Sequence, residues 1–181
     1  VIELGACLGF ISCLKNKILN KESKHIVVEP NPSLIPVLEQ NRNINECYFE
    51  VYESAYNYNN QKIDLTIPDD IWGTSSYRDD GSSVTVDTLN LETLVTQHDI
   101  SEFVLIVDIE GSEINLIKNE IDLLEEYCEL LIIEFHDKKE TYEHLLENTN
   151  KARESLRESE FDMIEEISTG VEVYKNKGIS D

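Results

Sequence analysis

The first nine residues, Val1-Ile2-Glu3-Leu4-Gly5-Ala6-Cys7-Leu8-Gly9, constrain the fold more than any other stretch. An apolar strand runs into a glycine turn, the turn opens a helix, and a second apolar strand then ends in Glu29-Pro30. A unit of this form holds a nucleotide-type ligand: the helix start faces the ligand, and an acid on the next strand receives ribose hydroxyls. The spacing is not that of a dinucleotide site. G-x-G-x-x-G read from Gly5 needs glycine at positions 7 and 10, which hold Cys7 and Phe10.

The rest of the chain continues the alternation. The patterns predict strands at Val1–Leu4, His25–Glu29, Tyr48–Ser54, Phe103–Asp108 and Leu130–Phe135, each followed by a helical or turn pattern. Phe10, Ile11, Leu14 and Ile18 have helical spacing. Asn31-Pro32 reads as a cap followed by proline at the first helical position, with Leu34, Ile35, Val37 and Leu38 continuing that helix. A short helix is expected around Leu89–Gln97, another marked by Ile114, Ile117, Ile121 and Leu124, and a long polar one from Lys138 to Ser159. The region 57–86 breaks the alternation with Pro68, Gly73 and Gly81, and reads as an inserted hairpin or loop carrying the sole tryptophan, Trp72. Phe161–Ile167 and Val171–Tyr174, joined at Thr169-Gly170, predict a terminal antiparallel hairpin. The expected fold is α/β: a three-layer sandwich around a mostly parallel, seven-stranded, Rossmann-like sheet.

With 181 residues the chain is long enough for one domain, and residues 1–181 are read as one. It starts at Val1, inside a strand and without methionine, so it reads as a piece of a longer protein. The net charge of −22 repels phosphate backbones and anionic lipid, which argues against nucleic-acid and membrane partners but tolerates neutral or cationic small molecules. Four cysteines, at 7, 13, 47 and 128, form neither a C-x-x-C pair nor a zinc spacing with histidine. They read as reduced thiols of a cytoplasmic protein.

Three groups of residues can carry chemistry. The first is the turn itself. Gly5 lets the backbone turn with positive φ, Gly9 lets the helix pack close, and Glu29 accepts from both ribose hydroxyls. A plain strand-to-helix turn also favours glycine, so Glu29 is what tips the reading. The acid-x-Gly-x-x-x-Gly spacing from Glu3 through Gly5 to Gly9 is that of S-adenosylmethionine sites, with Glu3 near the methionine end. Ala6, Phe10, Pro30, Ser54 and Ala55 complete the expected cofactor contacts.

The second group is Asp108-Ile109-Glu110-Gly111-Ser112-Glu113. Asp108 closes a strand and faces the same crevice as Gly5, because ligands in open α/β sheets bind beyond the carboxyl ends of the strands. Glu110 and Glu113 fall in a first helical turn, where the dipole favours acids, and for Glu113 capping is the preferred reading. The third group is Glu134-Phe135-His136, where His136 is suited to proton transfer. Asp108 and Glu134 sharing a divalent metal is the alternative; the sequence places no third ligand, and no metal is expected.

With VIELGACLGF (1–10), VVEPNPSLIPVLEQN (27–41), the segment from Thr88-Leu89 to Leu94, IVDIEGSE (106–113) and LLIIEFH (130–136), the chain resembles the FkbM family of S-adenosylmethionine-dependent methyltransferases, within the class I Rossmann-like group. The D-x-E-G-x-E piece is the more specific. The resemblance implies a cofactor held by Glu3, Gly5, Gly9 and Glu29, and methyl transfer to a hydroxyl of a sugar or small molecule. Cys7 departs from the pattern, since a small polar residue such as asparagine is common there. Asp108, or alternatively His136, is expected to take the hydroxyl proton, with Glu110 orienting the acceptor. A domain on another nucleotide cofactor, or a non-catalytic binding domain, is the competing expectation.

Overall fold

Short apolar runs that alternate with helices must lie side by side and be covered on both faces. The computed structural model describes residues 1–67, 81–136, 146–168 and 170–179. Its first half is β1 (Ile2–Leu4), α1 (Phe10–Ile18), β2 (Ile26–Glu29), α2 (Ile35–Ile44) and β3 (Glu50–Glu53). Next come β4 (Ala55–Tyr56), β5 (Ile63–Ile67), β6 (Ser82–Val86), β7 (Thr88–Leu89) and α3 (Leu91–Gln97). The second half is β8 (Phe103–Val107), α4 (Glu113–Tyr127), β9 (Cys128–Glu134), α5 (Leu146–Glu158), β10 (Phe161–Ser168) and β11 (Val171–Asn176).

Seven strands form one sheet in the order β10-β11-β9-β8-β1-β2-β3. β9, β8, β1, β2 and β3 pair in parallel, while β11 runs antiparallel to both β9 and β10. The architecture is the expected one, down to the terminal hairpin. Side-chain alternation splits the core in two. Ile2, Leu4, Ile26 and Val28 pack with Leu94 of α3, Leu116 of α4 and Leu156 of α5. Val27 turns to the opposite face, to Cys13 of α1 and Leu38 of α2. Burial on both faces is why β2 reads as an unbroken apolar run rather than an alternating one.

The strand order positions the site. β2 and β3 lie on one side of β1, and β8 and β9 on the other. The connections leave the sheet in opposite directions at the carboxyl ends of β1 and β8, which is where such folds open a crevice. The turn after β1 is tied to both neighbours. Asp108 N donates to Leu4 O at 2.9 Å, and Gly5 N and Ala6 N donate to Val28 O at 2.9 and 3.2 Å. Gly5 has φ +87°, and a Cβ there would lie 1.7 Å from the Asp108 carbonyl oxygen.

The insertion contains the expected hairpin, with Ile63 opposite Val86 and Ile67 opposite Ser82. Trp72, the turn residue Thr169 and the first part of the long helix, residues 138–145, lie outside the described residues. One local expectation is corrected. Asn31 does not cap α2; its Oδ1 accepts from Ser33 N in a tight turn, and Pro36, not Pro32, sits in the first helical turn. α1 forms where the spacing puts it, but its apolar stripe faces outward. Phe10 is 74% and Ile18 82% exposed, and its buried residues are Ser12, Cys13 and Asn16. Periodicity specifies a helix and its stripes; which stripe turns inward depends on the partners the sheet offers. Here Asn16 takes Tyr48 N on its Oδ1 and meets His25 Nδ1 at 3.1 Å.

Replacing Gly5 by alanine should therefore damage the fold directly. Positive φ and the collision with Asp108 O together are expected to remove about 3 kcal/mol or more of stability, measured by urea unfolding. Gly9→Ala meets only the Leu38 side chain, at 3.2 Å, and should cost less, about 1–2 kcal/mol.

Candidate active site

Glu29 is the last residue of β2, and its side chain is buried. Its Oε2 accepts Cys7 N at 2.7 Å and its Oε1 accepts Asn31 N at 2.8 Å. The carboxylate thus joins the glycine turn to the end of β2. Burial pushes Glu29 up to about 7, against the pull of these two N–H donors and with a small addition from the charge of Asp108. Each carboxylate oxygen keeps a lone pair for a further donor. Gly9 starts α1 with φ +74°, packed over Leu38 of α2.

On the other side of β1, the chain leaves β8 through Asp108 and turns with Glu110 at φ +50° and Gly111 at φ +105°. Glu113, the first residue of α4, is 1% exposed. Its carboxylate accepts Ile109 N at 3.1 Å and Gly111 N at 3.0 Å, and takes the His136 Nδ1 hydrogen at 2.9 Å. One buried acid therefore holds the whole Asp108–Gly111 turn and orients the histidine. The capping reading of Glu113 caught its place at the start of a helix but missed His136, which lies 23 residues away in sequence.

His136 follows β9 and is buried. With Nδ1 committed to Glu113, its Nε2 faces Asp108 Oδ1 at 3.5 Å, Glu110 Oε2 at 3.5 Å and Glu134 Oε1 at 3.9 Å. Burial works against the imidazolium, but the hydrogen bond and charge of Glu113, then the charges of Glu110 and Asp108, outweigh it and raise His136 to about 9. Burial raises Asp108 to about 6; His136 opposes the rise, and the charges of Glu134, Glu110 and Glu113 add to it. The structure thus brings the three residues expected to be catalytic, Asp108, Glu110 and His136, into one carboxylate-rich recess beside Gly5. Such a recess can receive a hydroxyl and its proton, or a cation.

A model of the methyltransferase FkbM domain matches residues 3–165. The chain belongs to the FkbM methyltransferase family. The family uses S-adenosylmethionine. No curated protein matches the sequence. Among solved structures, monomeric WbdD aligns with TM-score 0.56 and 14% identity, over 98% of this chain and 35% of that one. A putative O-methyltransferase from Klebsiella pneumoniae aligns with TM-score 0.56 and 10% identity, over 97% of this chain and 71% of that one. These likenesses show the shared fold.

The remaining residues of this FkbM domain expected at the cofactor are placed as follows. Ala6 is buried against Val27 and Leu38, so only its backbone is open to the turn. Pro30 and Ser54 are half-buried just past the ends of β2 and β3. The Ala55 side chain packs with Leu65 and Val86 at the base of the insertion. The Phe10 ring faces outward from α1. Glu3 is turned away from the crevice: its carboxylate lies 3.1 Å from Lys15 Nζ and 3.7 Å from His25 Nε2, beneath α1. Burial alone would raise Glu3, but His25 and Lys15 together hold it below the ordinary carboxylate range. Among the described residues no helix is long and apolar enough to cross a membrane.

The Glu3–Lys15 pair anchors α1 to β1, and removing Lys15 leaves a buried carboxylate without its nearest cation. Lys15→Met is expected to destabilise the domain by about 3 kcal/mol, whereas the double change with Glu3→Gln should recover most of that loss in thermal or urea unfolding.

Proposed function

We propose that this domain transfers the methyl group of S-adenosylmethionine to a hydroxyl oxygen of an uncharged small-molecule or carbohydrate acceptor. The observation that carries the reading is the buried Glu29 carboxylate. It is tied to Cys7 N and Asn31 N at the crevice between β1 and β2, with the Gly5–Gly9 turn opposite. In this reading Glu29 receives the ribose hydroxyls. The backbone of Gly5, Ala6 and Gly9 lines the cofactor, with Phe10, Pro30, Ser54 and Ala55 at its margins. Glu3 supports the turn from below rather than touching the ligand.

The cofactor supplies the reactive methyl group, so the protein's contribution is mainly position. Asp108 lies at the end of β8 against Gly5, where an acceptor hydroxyl would meet the cofactor. The O–H bond breaks toward the Asp108 carboxylate as the O–CH3 bond forms and the S–CH3 bond breaks. Glu110 orients the acceptor. Glu113 fixes His136, which as an imidazolium steadies the acids around it; in the alternative, His136 is neutral and its free Nε2 lone pair takes the proton in place of Asp108.

An acceptor without charge suits the cavity that Ser112, at the end of the acidic segment, helps to line. A cavity of about 400 Å³ is lined by Asn57, Tyr58, Asn59, Ser112, Asn115 and Asn119, with no charged side chain among its described walls. Amide and hydroxyl groups match the donors and acceptors of a polyol.

Two outcomes test the reading. Ribose hydroxyls donate to the ionised form of Glu29, so binding stabilises the carboxylate and expels its proton. Cofactor affinity should rise about tenfold from pH 6 to pH 8, with proton release visible in calorimetry run in two buffers. Glu29→Gln should weaken binding and remove that dependence; a pH-independent affinity in the unaltered protein contradicts the assignment. Asp108→Asn should lower turnover at least about a hundredfold while cofactor affinity stays within about twofold, measured as S-adenosylhomocysteine release over a panel of neutral sugars and alcohols.

A further inference from the structure

We propose that Asp108, Glu134 and His136 form a divalent-cation site of mixed oxygen and nitrogen ligands at the carboxyl ends of β8 and β9. The three residues present one ligand atom each within 4.8 Å of one another. The sequence offered two carboxylates and no third ligand; the fold supplies the third. β9 ends at Glu134, and the chain then brings His136 back, buried, against the Asp108–Gly111 turn.

Two features separate this cluster from an ordinary group of acids. The first is the histidine's orientation. Glu113 takes the Nδ1 hydrogen at 2.9 Å from a fully buried position, and holds the ring so that Nε2 points among the other acids. Histidines that bind metals are held in this way, their second nitrogen donating to a carboxylate outside the coordination shell. The second is spacing. Nε2 stands 3.5 Å from Asp108 Oδ1 and 3.9 Å from Glu134 Oε1, beyond good hydrogen-bond length. Two ligands each about 2.1 Å from one ion, at angles of about 100–120°, stand about 3.2–3.7 Å apart. The His136–Asp108 separation falls in that range and the His136–Glu134 separation lies just above it.

The electrostatics point the same way. Asp108, Glu110, Glu113 and Glu134 all lie around one imidazole, whose Nε2 proton a bound ion displaces. Crowded carboxylates of this kind are stabilised by a bound cation. Nitrogen together with carboxylate oxygen suits Mn2+, Fe2+, Co2+ or Zn2+ better than Mg2+ or Ca2+. Three protein ligands leave open positions for acceptor oxygens. In the methyltransferase reading, on which this consequence alone rests, an ion there acidifies the acceptor hydroxyl, and Asp108 can bind through one oxygen while the other faces the proton.

The test is Mn2+ binding to the chelator-stripped domain, without cofactor or acceptor, followed by calorimetry and electron paramagnetic resonance. One Mn2+ per chain is expected, weakened at least tenfold in Asp108→Asn, Glu134→Gln and His136→Ala, and unchanged in Glu102→Gln, an exposed acid elsewhere on the surface. A variant-free measurement accompanies it: among the four histidines, the imidazole resonances of His136 should broaden first as Mn2+ is added. Absence of stoichiometric binding overturns the proposal, as does binding that the three substitutions leave intact. S-adenosylmethionine titrated into the same preparation separates the two readings: cofactor binding without Mn2+ binding rejects the metal site and leaves the methyltransferase standing.

Discussion

The meeting of Gly5 with the carbonyl of Asp108 is the constraint on which the rest of the site depends. β1 and β8 are neighbours in the sheet although about a hundred residues separate them in sequence. Their ends can close on each other only because position 5 has no Cβ. That closure brings the glycine turn and the acidic turn to a single crevice. Any side chain at Gly5 would push the two turns apart and separate the proposed cofactor contacts from the group proposed to take the proton.

Two buried acids then do related work on either side of this seam. Glu29 gathers the N–H groups of Cys7 and Asn31, and Glu113 gathers those of Ile109 and Gly111 together with His136. In each case a carboxylate withdrawn from water organises a loop that has too few backbone partners of its own. Glu29 is left with capacity for ribose, whereas Glu113 is committed to its three partners. That difference explains why one acid belongs to the proposed cofactor contacts and the other to positioning. The large negative charge of the chain is thus not only a solvated surface; part of it is concentrated in the recess around His136, where it favours cations and excludes anionic acceptors.

Much of this was legible in the residues. The apolar runs marked each strand of the central sheet to within about two residues, the break in periodicity located the inserted hairpin, and the D-x-E-G-x-E and E-F-H pieces identified the acids and histidine that gather in the recess. These features follow from local rules, since strand burial, turn glycines and helix periodicity act within a few residues of each other. What local rules could not supply was which distant residues meet. The outward stripe of α1, the burial of Glu3 and the second role of Glu113 all depend on partners farther off in sequence: Tyr48 and His25 for the first, Lys15 for the second, His136 for the third.

By itself, then, the sequence determined the class of the fold, the family and the residues that could carry chemistry, because glycine spacing and apolar periodicity leave few alternatives. Tertiary structure alone decided which of those residues meet. Whether an acid faces a ligand, a lysine or a backbone turn is a matter of distances set by strand order. The order β9-β8-β1-β2 puts Asp108, Glu134 and His136 together while leaving Glu3 beneath the helix that follows it.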